Sequence, residues 1–235
     1  MTQHPQTVPA AAQPARMNWR RMLRVWTLLA ASMTAAALAC WAALPRGGPA
    51  PEPANVMKEL ADLQALVWPK DMAPAAEWQY IVIHHSATPS ATLAAIDQWH
   101  CDKGFDGVGY HFMINNGRAA GTADGKITPT ARWLEQRGGA HAKVANHPDF
   151  NAQGIGLCLI GNFEQEPPTP AQMASLETLV EVLRQRYGIT LDRIIGHGEL
   201  KNTKCPGKQF PMEAFLMALR QNAIGRRLAA PAEPE

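Results

Sequence analysis

The run Gln79-Tyr80-Ile81-Val82-Ile83 is apolar and β-branched over a strand's length, so it reads as a buried strand. It ends in His84-His85-Ser86-Ala87-Thr88. Two further runs have the same character, one over residues 110–114 and one over 155–160. Asn115-Asn116-Gly117-Arg118 is a turn signal leading from the first of these into another strand. Helical segments lie between the strands. Residues 91–103 set Leu93, Ile96, Trp99 and His100 on one side and stop at Gly104. Residues 170–187 begin with Thr169 as N-cap, Pro170 in the first turn and Gln172 completing a capping box, and end at Gly188. Their apolar stripe is Met173, Leu176, Leu179, Val180, Leu183 and Tyr187. A short strand at 193–195 leads to Gly196-His197, and a last helix starts near Pro211. Strands interleaved with helices predict an α/β domain, a central mixed β-sheet flanked by α-helices.

That domain is expected over residues 77–222. The chain has 235 residues, enough for one well-buried core, and its 46% apolar content excludes a wholly disordered chain. Four arginines and no acids lie in residues 1–45, leaving 18 basic and 20 acidic residues in the remainder. A nearly neutral body excludes nucleic acid as the partner, because phosphate binding needs a concentrated basic face. Cys40, Cys101, Cys158 and Cys205 lie far apart with no C-x-x-C pair, which excludes a zinc site built of cysteines alone.

Residues 1–24 read as a polar tail that ends in a basic cluster around Arg20, Arg21 and Arg24. The uncharged run 25–44 is about as long as a membrane-crossing helix. The arginines on its N-terminal side predict a cytoplasmic tail, an inner-membrane anchor and a body in the periplasm. Ala37-Leu38-Ala39 offers a signal-peptidase site, so a cleaved and secreted form is the alternative. Residues 45–76 are expected to be a Pro/Ala/Gly-rich spacer with one short helix near 56–67. Residues 223–235 are expected to be a disordered tail.

Two places in the body carry ligand chemistry: His84-His85 at a strand end, and Gly196-His197 with Cys205-Pro206-Gly207 eight residues on. Catalytic zinc commonly takes three protein ligands and leaves a fourth position open. A His₂Cys set fits that pattern, and a thiolate favours zinc over magnesium or calcium. By themselves, such residues are more often surface or hydrogen-bonded core histidines and a small buried thiol than ligands.

The wider order of motifs narrows the choice. Ile81-Val82-Ile83-His84-His85-Ser86-Ala87-Thr88, Trp99-His100, Gly109-Tyr110-His111-Phe112, Gly139-Ala140-His141-Ala142, the run from Gly154 to Phe163, and Gly196-His197 to Cys205-Pro206-Gly207 follow one another. Together they resemble the zinc-dependent N-acetylmuramoyl-L-alanine amidases, the family of phage T7 lysozyme, the AmpD-type amidases and the animal peptidoglycan recognition proteins. The resemblance covers about residues 79–219. It implies a sheet flanked by helices, one Zn²⁺, a peptidoglycan or muropeptide substrate and a monomer. It implies His84, His197 and Cys205 as ligands, and strand alternation agrees that only one of His84 and His85 can face the site. Tyr110 and Thr203 are implied as catalytic hydroxyls beside the metal, with Lys204 one place off the family's position. His141 and Asn151 are implied as contacts to the muropeptide. The alternatives are a peptidoglycan-binding module without catalysis, and a recycling amidase for soluble anhydro-muropeptides. Cys101 and Cys158 read as free thiols, and Trp99 and Trp133 as core or cleft wall.

Overall fold

Every residue of the strand Tyr80–His85 after its first is buried, because two neighbours flank it in a five-stranded sheet. The computed structural model describes residues 53–144 and 150–229. In chain order its elements are α1 (Pro53–Val67), β1 (Tyr80–His85), α2 (Leu93–Asp102), β2 (Phe112–Asn116), β3 (Asp124–Pro129) and the single turns α3 (Ala131–Leu134) and α4 (Phe150–Gln153). There follow β4 (Gly154–Leu159), α5 (Pro170–Tyr187), a 3-10 turn (Leu191–Arg193), β5 (Ile194–Gly196), the turn α6 (His197–Leu200) and α7 (Met212–Ala229). The sheet order is β3-β2-β4-β1-β5, with β2–β3 antiparallel and the other pairs parallel. The expected mixed sheet flanked by helices is therefore the observed fold.

Alternation along the strands sorts side chains into two layers. Ile81, Ile83, Phe112, Ile114, Ile155, Leu157 and Leu159 share one cluster with Leu176, Leu179, Val180 and Leu183 of α5 and with Phe215 and Leu219 of α7. On the other face, Met113, Cys158 and Ile160 pack with Ile96 of α2, and Val82 packs with Ala142 and Phe150. His84 follows Val82 at the strand period, so it projects on the α2 side, away from the main core. His85 instead follows Ile83: its ring lies 5.8 Å from that of Phe163, and its Nδ1 accepts the Phe163 N–H at 3.1 Å.

Helix α5 has the expected bounds and capping box, with Gly188 left-handed at φ 66°, ψ 24°. Gln172 also does something its sequence position does not announce. Its buried Nε2 donates to the carbonyls of Ile114 (3.0 Å) and Ile160 (2.9 Å), tying the helix start to two strands.

Four expectations change. The second half of the spacer 45–76 belongs to the domain: α1 is a helix, Val67 is fully buried, and the Val67 carbonyl accepts from Trp133 Nε1 at 2.6 Å. Trp133 is thereby core rather than cleft wall. Helix α7 continues to Ala229, beyond the expected domain end at 222. Tyr110 precedes β2 rather than starting it. The expected inner-membrane anchor and periplasmic placement are also corrected. Among the described residues no helix is long and apolar enough to cross a membrane, and the tail 1–24 and the run 25–44, where the hydrophobic helix was expected, lie outside those residues.

Candidate metal centre and active site

Strand pairing brings the first two donors together. In the parallel β1–β5 pair Ile83 lies opposite Gly196, so the next residues, His84 and His197, sit side by side with ring centroids 4.5 Å apart. The chain then loops out and returns through Cys205. Its carbonyl accepts the Gly198 N–H at 2.6 Å, and a Cβ on Gly198 would stand 2.9 Å from that same oxygen. Only glycine allows so close a return. The His85 N–H donates to Cys205 Sγ at 3.4 Å. The ligand atoms of His84, His197 and Cys205 all lie within 4.8 Å of one another.

This donor set suits a tetrahedral metal. Cys205 Sγ lies 3.6 Å from His84 Nδ1. Two ligands at the usual zinc–sulfur and zinc–nitrogen distances, separated by a tetrahedral angle, stand about 3.6 Å apart. The electrostatics agree. Burial, then the neighbouring His141 and His197, hold His84 well below the usual histidine range, and burial also lowers His197. Both imidazoles are neutral near pH 7, as ligands must be. Burial pushes the Cys205 thiol up to about 12, against the opposing His85 N–H. A thiolate therefore forms here at neutral pH only when a cation compensates it.

Tyr110 stands beside these donors, its ring 5.1 Å from His84 and 5.5 Å from His100. Its carbonyl accepts from Thr130 Oγ1 at 2.7 Å, and the preceding Gly109 N–H donates to His100 Nδ1 at 2.9 Å. The loop is held on both sides. Burial, then the thiols of Cys158 and Cys205, raise the Tyr110 hydroxyl well above its usual range, so it remains a donor at neutral pH. Thr203 lies on the exposed part of the returning loop, where its Oγ1 accepts the Cys205 N–H at 3.4 Å. Lys204 points away: its side chain is 84% exposed, with Nζ 3.9 Å from Glu164 Oε2.

His141 and Asn151 occupy places that sequence reasoning did not foresee. Asn151 Oδ1 accepts the backbone N–H groups of His141 (2.9 Å) and Ala142 (2.7 Å), folding that loop onto the sheet. His141 is buried, with Nδ1 3.0 Å from His84 Nε2 and Nε2 3.1 Å from the Gly154 carbonyl. The contacts of His100 with Tyr110 and of the His85 N–H with Cys205 were also unforeseen. One signal was present in the sequence: Gly156 in a strand run and Gly139 two residues before His141 carry no side chain, and a Cβ on either would meet the His141 ring. Among the described residues, Cys101 (exposed) and Cys158 (buried in β4) are free thiols, and Trp99 is half exposed beneath Lys103 Nζ.

At the ends of β1 and β5, and on the loop that returns beside them, two histidines and a cysteine form a group that could hold a metal ion. The chain belongs to the Amidase_2 family, described as N-acetylmuramoyl-L-alanine amidase, which matches residues 74–208. It is an enzyme that hydrolyses the amide between N-acetylmuramic acid and L-alanine in peptidoglycan. The endolysin of Enterobacteria phage T3 is 36% identical over 141 residues, covering 57% of this chain and 83% of the relative. The endolysin of Escherichia phage T7 is 37% identical over 134 residues, covering 54% and 78%. Among solved structures, the N-acetylmuramoyl-L-alanine amidase LysC from Clostridium intestinale URNW is 33% identical with a TM-score of 0.53, covering 65% of this chain and 92% of that one.

Proposed function

We propose that the ion held by His84, His197 and Cys205 is zinc, and that Tyr110 supplies the hydrogen bond that makes this centre an amidase. The observation that carries the reading is the S···N separation of 3.6 Å between Cys205 and His84, with both imidazoles neutral. Zinc bound there supplies a Lewis acid and activation of water at neutral pH. The reaction adds water across the amide: the lactyl carbonyl carbon gains the oxygen, the C–N bond breaks, and the L-alanine nitrogen leaves with the proton. The substrate is the sugar–peptide junction of peptidoglycan or of its muropeptide fragments. As carbonyl oxygen gains charge, the Tyr110 O–H, kept protonated by its burial, donates to it. Thr203, two residues before Cys205, offers a second hydroxyl: its Oγ1 accepts the Cys205 N–H, which leaves its own O–H free to donate.

The test is to measure zinc in the purified full chain, then to incubate it with sacculi and with soluble muropeptides and identify the products by mass spectrometry. One zinc per chain and peptides with a free L-alanine amine are expected. Zinc with binding but no released peptide would move the chain to the recognition modules. A chain without zinc would overturn the ligand assignment.

A further inference from the structure

Resting on that metal reading, we propose that His141 is a positioning residue: by accepting one hydrogen bond from His84 Nε2 it holds His84 in the tautomer whose Nδ1 is free to bind the metal. The argument is a count of protons. The Gly154 carbonyl can only accept, so His141 Nε2, 3.1 Å away, carries the ring proton. A neutral imidazole has one N–H, which makes His141 Nδ1 an acceptor. The group facing it at 3.0 Å, His84 Nε2, must then be the donor. His84 has no second proton when neutral, so its Nδ1 presents a lone pair, and that is the nitrogen 3.6 Å from Cys205 Sγ. The opposite tautomer would set two lone pairs against each other in a buried contact.

The surroundings hold the His141 ring in this place. A Cβ on Gly156 would come within 2.5 Å of the ring, and one on Gly139 closer still, so these glycines form a slot that fits it. Asn151 anchors the backbone at His141 and Ala142. Both ring nitrogens are engaged inside the protein, leaving neither for a muropeptide. His141 therefore acts on the metal through His84, in place of the substrate contact expected for it. The chain Gly154 carbonyl–His141–His84 is an outer-shell relay of the kind that orients a ligating histidine.

The test uses the full chain with ¹⁵N-labelled histidine. In the metal-free protein, long-range ¹H–¹⁵N correlation should show His84 as a single Nε2–H tautomer. An Nδ1–H tautomer would overturn the proposal without any variant. His141→Leu, which fills the slot without an acceptor, should mix the His84 tautomers and weaken zinc binding roughly 10- to 100-fold in competition with a chromogenic chelator. His141→Asn, whose Oδ1 can stand where Nδ1 was, should recover most of that affinity. If His141→Leu lowers only thermal stability, with zinc affinity and the His84 signals unchanged, the role is packing and the proposal fails. A wild-type chain that binds no zinc overturns the metal reading and this inference with it. Zinc bound equally by wild type and His141→Leu overturns the inference alone.

Discussion

The donors of this site come from two unlike regions. His84 sits on a central strand, 1% exposed, with its distal nitrogen hydrogen-bonded to a second buried histidine. Cys205 lies on a returning loop whose neighbours Thr203 and Lys204 are exposed, held by the Gly198 N–H, the His85 N–H and Thr203 Oγ1. The strand side is set by the sheet before any metal arrives. The loop side borders exposed residues, and it carries a thiol that burial keeps protonated at neutral pH. Metal binding is expected to organise the loop more than the strand, because binding free energy at a partly ordered site is also ordering free energy.

The sharpest way to break this comparison is to remove the loop-side donor. Cys205→Ala should abolish zinc retention and lower turnover by more than the roughly 10²–10³-fold cost of losing one oxyanion donor. Hydrogen exchange should rise across residues 197–207 and stay unchanged in β1; equal loosening of both would show that the two sides are ordered together. Next in size, Tyr110→Phe should keep its zinc, lose roughly 10²-fold or more in kcat and change KM little. A matching rise in KM would mean that the hydroxyl binds ground-state substrate.

A smaller effect tests the strand side without metal. Burial lowers His111 to about 4, against the opposing Arg137 carbonyl, while the unfolded chain titrates at about 6.5. Above 6.5 neither state is protonated and the full stability is present. As pH falls from 6.5 towards 4, the unfolded chain takes up a proton that the folded chain refuses, and stability is lost. The loss is on the order of 3 kcal/mol from this residue, and His84 and His141, also lowered by burial, act in the same direction. Urea unfolding of the metal-free protein at pH 7 and pH 4.5 checks it, and a flat profile would show that these histidines open to water. The smallest effect belongs to Lys204→Ala. With its side chain exposed, the change should alter activity less than twofold and stability by no more than about 0.5 kcal/mol; a large loss of kcat would return Lys204 to the site.

Local physical chemistry made much of this legible. Thr169, Pro170, Gln172 and Gly188 each act through the backbone within one turn, so the bounds of α5 followed from their order. Strand alternation separated His84 from His85 because neighbouring Cβ atoms leave a sheet in opposite directions, and the structure turns only His84 towards Cys205. The donor chemistry of two imidazoles and a thiol is a property of the residues themselves. Three other facts needed the third dimension. Val67 and Trp133 meet across 66 positions, so nothing local could remove residues 67–76 from the spacer. Gln172 reads as a cap, yet it also bonds two strands that only the folded sheet brings to it. The resemblance implies His141 as a muropeptide contact, and the folded chain sets its ring against His84, between Gly139 and Gly156, with Asn151 holding its backbone. Chain order by itself determined which groups can bind and which segments are strand or helix, since those depend on chemistry and near neighbours. Tertiary structure decided that His84 Nε2 meets His141 and that its Nδ1 lies beside Cys205, since those contacts join residues 57 and 121 positions apart.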